Sequence, residues 1–213
     1  MTRRSLVMLV LLCALPARGN EASLSDAALD TLSMIDALPS RPQLDFALGP
    51  AAVDQLLALA NDTSTALGLQ IRAIRVLPSY CVETGCAGTA VHDAIAELVR
   101  GYVSRMTRSS APLEPPDLLR LRAALEALGD TRSGMDSDAE LFTDSLLLHH
   151  PSRDVQSTAV RALRSLCSPN LCSRDVCTAS ADAIRALLKG SPSPQLRAAV
   201  IGALQGLAPC SDH

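Results

Sequence analysis

The sequence predicts an all-α fold. Three observations carry that prediction: an apolar fraction built from Leu and Ala, apolar residues at helical spacing, and internal self-similarity. Of the 213 residues, 48% are hydrophobic and only 2% are aromatic, namely Phe46, Tyr80, Tyr102 and Phe142. Ala and Leu are strong helix formers. A core of this kind suits close helix-on-helix packing, whereas sheets draw on β-branched and aromatic residues. The chain is long enough for one continuous core.

The self-similarity is clearest around Leu166. Val155, Val160, Ala162, Leu163 and Leu166 match Leu196, Ile201, Ala203, Leu204 and Leu207, 41 residues later. Leu128 ends a similar unit 38 residues before Leu166, and Leu77 another 89 residues before it. A weaker copy runs from Leu29 to Leu38. Second helices lie between these copies: Asp93 to Gly101 aligns with Asp182 to Gly190, again 89 apart. Ile184, Leu187 and Leu188 form one helical stripe, and Arg100 or Lys189 followed by Gly is a helix stop.

Taken in order, the pattern predicts first helices near 24–38, 64–78, 116–129, 152–167 and 193–208. Second helices are predicted near 49–61, 88–105, 137–149 and 177–190, each paired with the first helix before it. Pro-rich stretches from Pro39 to Pro50 and from Ser109 to Pro116 are read as loops, as is the polar stretch Gly129 to Ser137. One helix pair cannot bury its apolar stripe alone, but stacked pairs make a continuous core. Small residues such as Ala159, Ala162 and Ala183 let neighbouring helices approach to about 8–10 Å.

Asp154-Val155 followed by Val160-Arg161-Ala162-Leu163 resembles the HEAT-repeat family, in the short bacterial form found in phycobilin lyases. Ile71-Arg72-Ala73-Ile74 and Leu121-Arg122-Ala123-Ala124-Leu125 are comparable elements. The resemblance covers about 24–208 and implies a right-handed α-solenoid of antiparallel helix pairs, about four and a half HEAT-like repeats. It bears on fold and says little of function, because the matching residues are core and turn positions.

Residues 1–19 read as a secretory signal peptide: Arg3 and Arg4, an apolar run from Ser5 to Leu15, then Pro16-Ala17-Arg18-Gly19 with small residues at the cleavage positions. The run is too short to span a membrane as a mature helix. A lipoprotein anchor at Cys13 is disfavoured by the bulk of Leu12. The mature domain is taken as 20–208 with a tail at 209–213, and no later apolar run reaches membrane-spanning length. Removing Arg3, Arg4 and Arg18 leaves 16 basic against 22 acidic residues, a net charge of −6. That sign argues against nucleic acid as a partner. The expected location is periplasmic or extracellular.

Export leaves six cysteines, an even number in an oxidising compartment, which favours three disulfides. Cys81 and Cys86 enclose four residues, as do Cys172 and Cys177, and both pairs are placed between a first and a second helix. A local disulfide is expected in each, contributing about 2 kcal/mol. Cys167 and Cys210 lie close to one repeat apart, and a bridge between them would contribute about 4 kcal/mol. The rival pairing is Cys167–Cys172 with Cys177–Cys210; sequence does not decide between them. A zinc site with four thiolates is disfavoured, because loops two repeats apart are separated by roughly 20 Å. Cys-x-x-Cys is absent.

No other motif carries chemistry. His92-Asp93 is read as a solvated helix start, Asp136, Asp138 and Glu140 as acidic residues favourable at a helix N-terminus, and His149-His150 as a helix C-terminus. The acidic triplet lacks the Gly and spaced Glu of a calcium loop. Asn61-Asp62-Thr63 is a glycosylation sequon. No catalytic residue, cofactor site or metal site is expected.

The function these readings favour is an exported, monomeric scaffold binding another protein. In HEAT-like stacks the second helices line the concave face, which would present Asp54, Asp93, Glu97, Arg100, Asp182, Arg185 and Lys189. Two other roles are compatible with the same sequence: a subunit or regulator of an enzyme, following the resemblance to lyases, and a purely structural envelope protein.

Overall fold

The structure, a computed structural model, describes residues 26–34, 37–81, 86–109, 111–167 and 173–211, with side chains as far as Leu207. The signal-peptide reading, Cys172 and residues 212–213 lie outside the described residues. All regular secondary structure among the described residues is helical. The helices are α1 Asp26–Ser33, α2 Arg41–Leu48, α3 Ala52–Asn61, α4 Leu67–Val76, α5 Ala90–Arg108, α6 Pro115–Asp130, α7 Asp136–Thr143, α8 Ser145–Leu148, α9 Arg153–Leu166, α10 Arg174–Ala186 and α11 Pro194–Ser211. Short 3-10 turns precede α3 and extend α4 and α10.

Three predicted boundaries are corrected. The stretch Pro39 to Pro50 is largely helical, because proline in a first turn starts a helix and breaks one only in its interior. Pro42 stands in the first turn of α2, Ser40 precedes it, and the Gln43 side chain accepts the Ser40 backbone N–H at 2.8 Å. Leu44 and Leu48 bury the inner side of this helix. The helix predicted over 137–149 is two helices, because the Asp144 carboxylate accepts the Leu146 N–H at 2.8 Å and caps a new start. At the C-terminal end α11 runs to Ser211, into the stretch read as a tail.

The predicted first helices form a row in chain order: α1 touches α4, α4 touches α6, α6 touches α9, and α9 touches α11. The second helices pack differently from expectation. Most lie chiefly against the first helix that follows them: α3 on α4, α5 on α6, α8 on α9, α10 on α11, while α7 packs on α9 and α10 alike. The connections that follow the first helices, with the cysteines and the 3-10 turn Leu77–Tyr80, therefore join helices that are not packing partners.

The core runs the length of the row, with Leu32, Ile74, Leu121, Leu125, Leu128 and Leu163 fully buried. Burying each such side chain contributes about 1.5–3 kcal/mol. α6 and α9 approach each other closely at Gly129. A Cβ at Gly129 would stand 2.7 Å from the Cα of Ala162, so only glycine allows this contact. Gly129, assigned to a loop from sequence, is thus a packing residue inside α6.

Arginines of the repeated Arg-Ala element tie neighbouring helices along the row. Arg72 donates to the Ala37 carbonyl at 3.1 Å, Arg75 meets Glu126 at 3.1 Å, and Arg122 meets Asp154 at 3.3 Å. The Arg164 stem crosses α11 beside Gly206, where an added Cβ would meet Arg164 Cγ at 2.8 Å. Exposed ion pairs of this kind contribute at most about 1 kcal/mol each, so their main effect is on register.

Candidate interaction face

α5, with 19 residues, is the longest of the described helices. Thr89 caps it by accepting the His92 N–H at 3.2 Å. Val91, Ile95, Ala96, Val99 and Tyr102 face inward, and Asp93, Glu97, Arg100, Arg105 and Arg108 are exposed. A groove of about 460 Å³ lies along this helix, lined by Asn61 of α3 and by Glu97, Gly101, Tyr102, Arg105 and Arg108.

Its walls are fixed by hydrogen bonds. Arg105 donates to Asp117 at 2.6 Å while its guanidinium sits 5.5 Å from the centre of the Tyr102 ring. Arg120 donates to the other Asp117 oxygen at 3.0 Å and to the buried Gln70 side chain at 2.5 Å. Burial pushes the Asp117 carboxyl up, but the hydrogen bonds and charges of Arg105 and Arg120 outweigh it and hold the carboxyl below its ordinary value. The bond to Asp117 in turn raises Arg105. The groove therefore presents two cations, Arg105 and Arg108, the first held in place by Asp117 and by the largely buried Tyr102 ring before any partner arrives.

The residues proposed from sequence separate into three places. Asp93, Glu97 and Arg100 share the outer side of α5; Asp54 is exposed on α3; Asp182 and Arg185 pair with each other on α10, with Lys189 exposed just beyond. Only Glu97 among them lines the groove. Tyr102, Arg105, Arg108 and Asp117 were not singled out. The signal for the arginines is present in the sequence: Glu97, Gly101, Arg105 and Arg108 continue one helical stripe beyond Arg100.

Beneath the N-terminal end of α5 lies a second polar cluster. His92 is 1% exposed, and its Nε2 and Nδ1 stand 2.7 Å from Asp138 and 2.9 Å from Asp93. Ser133 Oγ donates to the same Asp138 oxygen at 2.5 Å, and the Arg100 guanidinium lies 3.9 Å from the other. This corrects the reading of His92 as part of a solvated helix start, while Asp93 is exposed in the first turn of α5 as expected; Asp138 stands in the first turn of α7 as expected of an acidic residue, but is fully buried there. Ser133 contacts the carboxylate and not the imidazole, and both ring nitrogens face carboxylate oxygens, which only accept. No imidazole nitrogen is left to take a proton from the hydroxyl, so the cluster is a structural tie between α5 and α7 and not a nucleophile with its base.

His149 ends α8 as expected, and His150 beyond it is buried, its Nδ1 accepting the Ser152 N–H at 2.9 Å. In the sequon, Asn61 donates to the Leu57 carbonyl and Asp62 caps the turn into α4. Cys81 and Cys86 form a disulfide with a Cα–Cα distance of 4.9 Å, as expected. The two four-residue cysteine inserts are not equivalent, since Cys86 precedes α5 whereas Cys177 lies inside α10. Cys167 and Cys177 are buried; the side chain of Cys210 and all of Cys172 lie outside the described residues. No group of residues suited to holding a metal ion occurs among the described residues, and no described helix is long and apolar enough to cross a membrane. The chain matches no protein-family model, no curated protein and no solved structure.

Proposed function

We propose that the chain is an exported, disulfide-stapled α-solenoid of HEAT-like type that binds another protein through the groove along α5. The observation that carries this reading is the Tyr102–Arg105–Asp117 arrangement at the groove wall. Tyr and Arg dominate the energetics of protein interfaces, and a guanidinium already held over an aromatic ring loses less freedom on binding. The chain-order contacts of α1, α4, α6, α9 and α11 support the solenoid reading, since each helix pair of such a stack touches its neighbours. The disulfide supports export, because such bonds persist in oxidising compartments. The partner would present carboxylates to Arg105 and Arg108.

The test uses photo-crosslinking from Gly101 in the exported fraction of the native host, followed by binding measurements with the captured protein. Arg105→Glu/Arg108→Glu should weaken binding at least tenfold, and rising salt should weaken wild-type binding. Glu140→Arg, a charge change on the exposed side of α7, serves as control. Equal loss in the control, or none in the double variant, would refute the reading.

A further inference from the structure

We propose that the cleft between the C-terminal end of α5, the loop into α6 and α8 binds a neutral, mostly apolar small molecule carrying one carbonyl-type acceptor. The cleft has a volume of about 530 Å³ and is separate from the groove proposed above as the protein-binding site. That volume falls in the usual range for small-molecule sites, roughly 300–1,000 Å³.

The chemistry of the walls sets the class of ligand. Met106, Leu113, Leu118 and Leu146 supply an apolar interior, and Met can adapt to an irregular shape. Among the described residues no Asp, Glu, Lys or Arg lines the cleft, although such residues make up 19% of the chain. A buried ion would meet no countercharge there, and uncompensated burial of charge is costly.

One polar group sits deep in the wall. The His150 side chain lines the cleft and is only 7% exposed. Its Nδ1 accepts the Ser152 backbone N–H at 2.9 Å, so in the neutral ring the proton resides on Nε2, which is left to donate. Burial pushes the imidazole below its ordinary value, which keeps it neutral at pH 7. His150 is thus a buried, uncharged N–H donor in an apolar surround, whereas the polar lining groups His149, Ser109 and Ser145 are exposed at the edge. A ketone or ester on an apolar body matches it; a carboxylate or phosphate does not.

The probe is Prodan, a neutral fluorescent naphthyl ketone, titrated into the full mature protein at pH 7. The expected result is saturable one-site binding with blue-shifted emission and Kd on the order of 10–100 µM. Methyl dodecanoate should displace it, and dodecanoate should not. Ala111→Trp, at an exposed position on the rim, should fill the mouth and weaken binding at least tenfold. His150→Phe should weaken Prodan about fivefold, the loss of one hydrogen bond, while leaving binding of phenylnaphthalene unchanged. Thermal melts check that both variants fold, and Ala111→Trp remains decisive if His150→Phe does not. Absence of saturable binding, indifference to Ala111→Trp, or equal displacement by dodecanoate would each overturn the proposal. So would a wild-type dimer that Ala111→Trp converts to monomer, which would assign the cleft to a second copy of the chain.

Discussion

His92 Nε2 stands 2.7 Å from Oδ2 of Asp138, 46 residues further along the chain, and both side chains are buried. The pair joins the first turn of α5 to α7, across helices that have few other contacts. Removing one partner leaves a buried polar group uncompensated. Asp138→Ala or His92→Ala should each cost about 3–5 kcal/mol, read from urea denaturation. The double variant His92→Leu/Asp138→Leu should cost less than either, because no polar group is then stranded. A double loss equal to the sum of the singles would show that the two side chains do not act as a pair.

Gly129 and Gly101 make opposite predictions. Gly129→Ala drives a Cβ into the backbone of Ala162 and should destabilise by about 1–3 kcal/mol. Gly101 lies inside α5 with open space where a Cβ would stand. Gly101→Ala should therefore stabilise by about 0.5–1 kcal/mol, the helix-propensity difference. Thermal or urea unfolding of the two variants side by side is the check.

The disulfide between Cys81 and Cys86 closes a short loop, and the Cys86 N–H donates to the Thr131 carbonyl at 3.1 Å, tying that loop to the end of α6. Cys81→Ser/Cys86→Ser should lower stability by about 2 kcal/mol. Peptide mapping of the non-reduced protein should recover the Cys81–Cys86 link and at the same time assign Cys167, Cys172, Cys177 and Cys210.

Asp62 should titrate unusually low. Its carboxylate accepts from Ser64 Oγ and Thr65 Oγ1, both at 2.6 Å, and from the Ser64 N–H at 2.8 Å, which lowers its pKa to about 2. A folded-state value below the unfolded one stabilises the fold above the ordinary carboxylate range. That contribution is lost as the pH falls from the model-peptide value of 3.8 towards about 2. Carboxyl ¹³C chemical shifts followed by NMR give the midpoint directly, and a midpoint at the ordinary value would refute the turn geometry.

The helices were legible in the sequence where their determinants are local. α9 and α10 carry apolar residues at helical spacing with acidic residues in their first turns, so their positions follow from a window of a dozen residues. α2 was missed although its determinants are equally local: Ser40, Pro42 and Gln43 are a helix start, read as a loop because of the proline count. The groove was legible in part, since Glu97 and the stripe it begins lie on one helix. Asp117 and Gln70, which fix its wall, lie on α6 and α4 and show no mark in their own neighbourhoods.

The sequence by itself determined the helical class, the places of the helices other than α2 and the break between α7 and α8, and the cysteine pair that closes a turn, because each rests on spacing within a few turns of backbone. Tertiary structure alone decided that α5 packs on α6 rather than back on α4, that Asp138 and His92 are core rather than surface, and that His150 lines a largely apolar cleft. The physical reason is that the burial of a polar side chain depends on a partner dozens of residues away. A histidine or aspartate at a helix start looks the same in sequence whether water or another helix covers it.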